Sequence, residues 1–133
     1  MLISPKETIY SDIPLSFLAH PVNGNVKPLV NEAAIRQSVK NIVLTSFFER
    51  PYAPSFGGNI YDMLFDNIES EYTHFLITED LTDVIVNYEP RAQLLNIAVE
   101  PDSDRNTLEI TIKFIPITSA EIVTVDVIIE RVR

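Results

Sequence analysis

The feature that most limits how this chain can fold is a change of period at Tyr88-Glu89-Pro90-Arg91. Upstream, Ile77, Leu81, Val84, Ile85 and Tyr88 recur three or four positions apart, the spacing of one helix face. Downstream, apolar and polar residues alternate to the end of the chain, the period of half-buried strands. Pro90 explains why the switch falls here, because proline disfavours helical geometry at the preceding residue and removes a backbone donor. A helix stop needs only the proline. The opposite charges on either side, Glu89 and Arg91, make the corner a candidate site.

The strands beyond the corner are well marked. Leu94 to Glu100 is a mostly apolar run, and Pro101 to Asn106 is a polar turn. Leu108, Ile110, Ile112 and Phe114 then alternate with Glu109, Thr111 and Lys113. After a connection over Pro116 to Ala120, Val123, Val125, Val127 and Ile129 alternate with Thr124, Asp126, Ile128 and Glu130. Three consecutive strands on short connections predict an antiparallel meander.

Upstream of the corner the pattern is helical. Asn31 is placed to cap a helix running to about Thr45, with Ile35, Val39, Ile42 and Val43 inward and Glu32 and Arg36 four apart outside. Asn59 is placed to cap a short helix that buries Ile60, Met63 and Leu64. A third helix covers about 70–88; its run Leu81 to Val86 is rich in β-branched residues, and the period outweighs that. Residues 1–30 are loop-rich, broken by Pro5, Pro14, Pro21 and Pro28, with a short extended piece over Ile13 to Leu18 and a turn at Asn23-Gly24-Asn25. Between 46 and 58, Pro51, Pro54, Gly57 and Gly58 interleave with Phe47, Phe48, Tyr52 and Phe56, which predicts a loop stapled to the core by its aromatics. The class is α+β: helices packed on a C-terminal three-stranded antiparallel meander. One domain spans 1–133, divided into the loop-rich 1–30, a mainly helical 31–88 and the sheet at 89–133.

What the chain lacks bounds its chemistry. There are no cysteines, so disulfides and thiolate metal sites are excluded. With 10 basic against 19 acidic residues the net charge is −9, a field that repels phosphates, and no local basic patch offsets it. Binding to nucleic acid is therefore not expected. Met1 to Tyr10 holds no secretory signal, and no apolar stretch approaches the roughly 18 residues of a spanning helix, so folding in a cytoplasm without membrane insertion is expected. His20 and His74 do not stand at ligand spacing, so no metal or other cofactor is expected. A nucleophilic triad would need a serine beside a histidine, and only Ser70 lies near His74. Gly57-Gly58 has no following Lys-Ser or Lys-Thr, as a phosphate loop requires. Glycoside hydrolysis needs two carboxylates flanking a cleft, one with a raised pKa. Glu49 with Asp62, Glu69 with Glu71, and Glu79 with Asp80 are available pairs, yet 19 acids supply such pairs by chance and none stands in a motif. No enzymatic activity is expected, with a peptidoglycan-degrading lysozyme as the rival reading.

Two stretches carry a resemblance to a known family. The first is Leu44-Thr45-Ser46-Phe47-Phe48-Glu49-Arg50-Pro51, followed by Pro54-Ser55-Phe56-Gly57-Gly58; the second is Glu89-Pro90-Arg91. In that order, behind a helix over Ile35 to Val43, they resemble the lysozyme-like baseplate wedge family of contractile phage tails, which is related to a type VI secretion baseplate component. The resemblance covers roughly residues 12 to 131. One departure is Phe48, where many relatives carry glycine. The resemblance implies a structural virion protein of the tail baseplate, assembled in the host cytoplasm. Its implied partners are the tail sheath protein, other baseplate wedge proteins and tail tube or hub proteins. It also implies that Glu89, Pro90 and Arg91 belong to the surface engaging the sheath, and that extended sheath arms interlock with the small C-terminal sheet, so that the chain starts sheath polymerisation.

Three candidate partner-binding sites follow. The corner Glu89-Pro90-Arg91 can hold arginine's planar fork toward a partner carboxylate or carbonyl, with Glu89 orienting it; the plainer reading is a helix terminus with surface charges. The last strand, with Val125, Val127 and Ile129 on one face, completes the core sheet and also leaves an edge able to accept another strand. Thr124, Asp126 and Glu130 on its other face discourage random pairing. Glu49 and Arg50, ahead of Pro51, form either an internal ion pair pinning the aromatic loop or a contact to another wedge protein. On this reading Arg91→Ala gives a folded monomer that seeds sheath poorly.

Overall fold

The alternation after Pro90 becomes a three-stranded antiparallel sheet of β3 (Ala92–Asp102), β4 (Thr107–Pro116) and β5 (Val123–Glu130), in that spatial order. The computed structural model describes residues 9–131. β4 and β5 pair without interruption from Thr107 opposite Glu130 to Phe114 opposite Val123. The β3–β4 register shifts between Leu94 and Asn96, a bulge on β3. Because successive side chains point to opposite faces, Leu108, Ile110, Ile112 and Phe114 join Val123, Val125, Val127 and Ile129 on one buried face. Burying each such side chain contributes about 1.5–3 kcal/mol, which fixes the register against a one-residue slip.

That face is covered by α1 (Glu32–Leu44), the single-turn α2 (Ile60–Met63) and α3 (Glu71–Tyr88). Ile35, Val39 and Val43 of α1 and Ile77, Leu81 and Ile85 of α3 enter the same core cluster as the sheet. The β-branched run of α3 is compatible with helix because Leu81, Val84 and Ile85 fall on one buried side. Two of its threonines bond back to the helix: Thr78 and Thr82 donate their hydroxyls to the carbonyls of His74 and Thr78, at 2.9 and 2.7 Å. Tyr88, expected on the same face, instead reaches out of it and donates its hydroxyl to the Ser55 carbonyl at 2.8 Å.

The N-terminal strap is held by two-residue strands, β1 (Ser11–Asp12) against β2 (Leu29–Val30). The extended piece expected over Ile13 to Leu18 is a turn, closed by Phe17 N–H donating to Pro14 O, and Leu15, Phe17 and Leu18 stay exposed. Apolar side chains alone do not make a strand where no neighbour offers a ladder. The Asn23-Gly24-Asn25 turn forms as read, with Gly24 at φ 69°. Pro5 lies outside the described residues. Asn31 and Asn59 precede α1 and α2, but neither side chain caps its helix. The buried Asn31 turns its side-chain carbonyl to the strap, accepting from the N–H groups of Ile9 and Tyr10 at 2.9 and 3.2 Å. Asn59 N–H donates to Asp80 Oδ2 at 2.9 Å.

Candidate functional site

α3 stops as Pro90 requires, and Glu89 takes a non-helical conformation with its carboxylate turned inward, 1% exposed. Two residues on, Arg91 folds back to meet it: Nε lies 2.6 Å from Oε1 and Nη2 lies 2.7 Å from Oε2. The guanidinium also sits over the ring of Tyr10 on the strap, 4.9 Å from its centroid. Burial alone would push the Glu89 carboxyl up, but hydrogen bonds from Arg91 and from Ser38 on α1, with the Arg91 charge, hold it below the ordinary carboxylate value. Donating to Glu89 in turn holds Arg91 above its ordinary value. The corner also starts the sheet, since Ala92 N–H donates to Glu89 O and Ile117 N–H to Arg91 O.

The fork expected to face a partner is therefore given to Glu89. Arg91 remains about a third exposed, and Pro90 lies on the surface. The corner is a joint tying α3, α1, the strap and the sheet together. Tyr10 and Ser38, which complete it, carry no chemical motif; only the position of Ser38 three residues after Ile35, beside the apolar face of α1, hints at burial.

Glu49 and Arg50 do not pair with each other; the described ion pairs are Arg36–Glu32, Arg91–Glu89 and Arg105–Asp102. Glu49 Oε2 accepts from Ser46 N–H at 2.9 Å. Arg50 lies over the ring of Phe56 at 3.9 Å, and Phe56 packs against Tyr88 at 4.6 Å between centroids. The loop is thus clamped to the end of α3 by an Arg50–Phe56–Tyr88 stack, one residue from Glu89. The other aromatics are not staples: Phe47 stays partly exposed, and Phe48 and Tyr52 are 83% and 102% exposed.

Phe48 has φ +63°, a left-handed conformation in which a Cβ costs about 1–2 kcal/mol. Glycine relieves that strain while giving back about 0.5–1 kcal/mol in unfolded-chain entropy. Since the ring buries little, Phe48→Gly is expected to stabilise the fold by about 0.5–1 kcal/mol. A raised thermal midpoint would bear this out; a lowered one would mean the exposed ring makes contacts worth more than the strain.

The side chains of Val125, Val127 and Ile129 are only 2–4% exposed and belong to the core, so β5 can meet a partner through its backbone and not through them. Among the described residues β5 pairs with β4 on one side only. β3, the opposite edge, is blunted by its bulge and by Pro101, which offers no donor. β5 has eight residues in continuous register, with neither bulge nor proline. Beside it runs a groove of about 730 Å³ bordered by Thr124, Val125 and Asp126, by Ala33 and Lys40 of α1, and by Leu29 of the strap. Gln37 fixes the strap to α1 here, donating to Asp12 Oδ2 and Ile13 O and accepting from Leu15 N–H.

One carboxylate of each pair raised as catalytic is engaged otherwise. Glu49 holds Ser46, Asp80 holds Asn59, and Glu69 accepts from the Ser103 hydroxyl. The buried carboxylate among the described residues is Glu89, and its pKa moves down, away from what a general acid needs. His20 Nδ1 accepts from Val22 N–H, and His74 Nε2 contacts Ile68 O. Among the described residues no group of three His, Cys, Asp or Glu side chains could hold a metal ion, and no helix is long and apolar enough to cross a membrane.

In fold, the chain matches a subunit in the cryo-EM structure of the anti-feeding prophage baseplate, with a TM-score of 0.63 at 20% identity over 93% of this chain and 87% of that one. It also matches a Geobacter sulfurreducens protein named as a candidate tail lysozyme, with a TM-score of 0.67 at 25% identity over 74% and 89% of the two chains. The fold is thus one found in the anti-feeding prophage baseplate. Residues 30–119 match the family model described as baseplate wedge protein gp25. Over 106 residues the chain is 31% identical to baseplate wedge protein gp25 of Enterobacteria phage T4, covering 80% of this chain and 79% of that protein. This chain belongs to the baseplate wedge protein gp25 family. The matched segment contains Glu49-Arg50 and Glu89-Pro90-Arg91 and ends before β5.

Proposed function

We propose that this chain is a structural protein of a contractile-tail baseplate, held among other wedge proteins of the virion tail, and that it starts sheath polymerisation by accepting an extended arm of the sheath protein on the free edge of β5. The observation that carries this reading is the asymmetry of the two sheet edges: β3 is blunted by a bulge and a proline, while β5 keeps continuous register and, among the described residues, has one edge unpaired beside a groove. Backbone groups on such an edge bond an incoming strand at about 0.5–1.5 kcal/mol each, and the alternation of side chains sets its register. Val125, Val127 and Ile129 anchor β5 from beneath, so the arm adds to a rigid sheet. The Glu89–Arg91 joint holds that sheet fixed against α3, which lowers the ordering cost of binding. Assembly in the host cytoplasm and contact with tail tube or hub proteins belong to the same reading.

The rival reading is a peptidoglycan-degrading lysozyme. The engagement of Glu49, Glu69 and Asp80 in local hydrogen bonds, and the lowered pKa of Glu89, favour the structural reading. A type VI secretion baseplate would use the same surface in the same way. The test is seeded assembly: a baseplate-and-tube preparation lacking this chain receives it, then sheath subunits, and is viewed by electron microscopy. Extended sheath is expected only with the chain present. Sheath that grows equally well without it overturns initiation, and release of soluble muropeptides from purified cell walls overturns the non-enzymatic reading.

A further inference from the structure

We infer that the strand accepted by β5 alternates basic residues on its outward side with aliphatic residues on its inward side; this rests on reading β5 as a strand acceptor. The outward face of β5 carries Thr124, Asp126, Ile128 and Glu130, all exposed. Two carboxylates four positions apart stand beside the free edge. The β4 residues directly opposite Asp126 and Glu130 are Thr111 and Thr107, and the one outward cation of β4, Lys113, stands opposite Thr124. Asp126 accepts a hydrogen bond from the Thr111 hydroxyl at 2.9 Å, and neither carboxylate takes part in a described ion pair. A strand laid against β5 brings its outward side chains directly beside these two acids, where opposite charge stabilises the pairing and like charge opposes it. The chain's net charge of −9 adds a longer-range field that steers a basic segment to the same place.

The inward side differs. There an added strand meets the groove beside α1, where Glu32, Arg36, Gln37 and Lys40 also stand; its apolar members, Leu15, Leu29, Ala33 and Val125, take aliphatic side chains. The same features argue against a second copy as the occupant. Antiparallel pairing of two β5 strands centred on Asp126 sets Asp126 against itself, and pairing centred on Ile128 sets Asp126 against Glu130. Pairing centred on Val127 leaves both acids without a cation, and each copy carries −9. The occupant is instead a basic, aliphatic-alternating arm of the sheath protein.

The experiment measures binding of blocked synthetic peptides of β5's length to the full chain by fluorescence anisotropy. One peptide alternates lysine and valine, the other glutamate and valine, and the lysine peptide is also made with N-methyl groups on alternate residues in each of the two phases. The lysine peptide is expected to bind at least about tenfold tighter than the glutamate peptide at low salt, with the gap narrowing as salt screens the charges. One methylation phase should abolish binding and the other spare it. The double substitution Asp126→Lys with Glu130→Lys, checked by circular dichroism, should reverse the preference. If one phase still blocks binding but the lysine and glutamate peptides bind alike, the charge rule is overturned while strand addition stands. If neither phase matters, or neither peptide binds, strand addition on β5 is overturned, and this inference with it.

Discussion

Arg91→Ala is expected to lower folding stability by about 3–5 kcal/mol, a large part of the 5–15 kcal/mol that holds a typical domain folded. The loss comes from what is left behind. Glu89 is 1% exposed, and without the guanidinium its charge stays buried with only Ser38 as a side-chain hydrogen-bond donor. The reverse deletion is milder. Glu89→Gln leaves an amide carbonyl that can still accept from Arg91, while Arg91, about a third exposed, keeps access to water; a loss of about 1–2 kcal/mol is expected. Arg91→Lys should fall between the two, because an ammonium replaces the charge but cannot reproduce the two-pronged fork. Urea midpoints for the three variants would order them.

The pH dependence gives the same argument an independent sign. In the folded protein Glu89 titrates below its unfolded value of about 4.3, so its contribution is fully present above that value and is lost as pH falls through the folded one. Glu89→Gln should therefore flatten part of the acid limb of the stability profile. In Arg91→Ala the burial effect is no longer opposed by arginine and raises the Glu89 pKa, so the deficit should be greatest at neutral pH and shrink as the carboxyl protonates. A loss below about 1 kcal/mol, or a deficit independent of pH, would mean that the pair behaves as an exposed one. With the large loss expected, poor sheath seeding by Arg91→Ala would report folding as much as any sheath contact, which replaces the simpler expectation of a folded but inactive monomer.

Why the corner misleads a reader of the sequence has a physical cause. A charge at a helix terminus is usually solvated, and only tertiary packing decides otherwise. Here Ser38 and Tyr10, about 50 and 80 residues earlier in the chain, supply the enclosure. β4 and β5 were legible because their burial alternates with a period of two, as in the buried-exposed pattern from Val123 to Glu130, while β3 was legible as a mostly apolar run. α3 was legible despite its β-branched half because Ile77, Leu81, Val84 and Ile85 keep helical spacing. The aromatic loop was not, since no period governs a loop and each ring goes wherever a partner is found. Phe56 found Tyr88 and Arg50, while Phe48 and Tyr52 found none. The groove beside β5 had no signature either, being built from three segments far apart in sequence.

Gly57→Ala is expected to cost roughly 2–6 kcal/mol, and the reason lies at the other end of that loop. Gly57 has φ +107°, and a Cβ there would sit 2.3 Å from the Thr45 carbonyl oxygen and 2.9 Å from its carbon. Both are backbone atoms at the end of α1, so no side-chain rotation relieves the clash. Backbone strain contributes about 1–3 kcal/mol and the forced displacement a similar amount. The displacement acts on the bonds that close the loop, Gly58 N–H to Thr45 O and Phe47 N–H to Gly58 O. It also presses on Asp80, whose carboxylate already lies 2.7 Å from where a Cβ on Gly58 would stand. Gly24→Ala is the control, since φ is +69° there but nothing lies within 4 Å of the added carbon, and it should cost only about 1–2 kcal/mol. Amide exchange would show Phe47 and Gly58 losing protection in the Gly57 variant alone. Equal costs at the two glycines would mean that Thr45 yields and the loop is not rigidly seated on α1. A larger cost at Gly57 would mean that the segment clamped beside Glu89 by Arg50, Phe56 and Tyr88 is fixed at both ends, so that the corner and the loop hold or fail together.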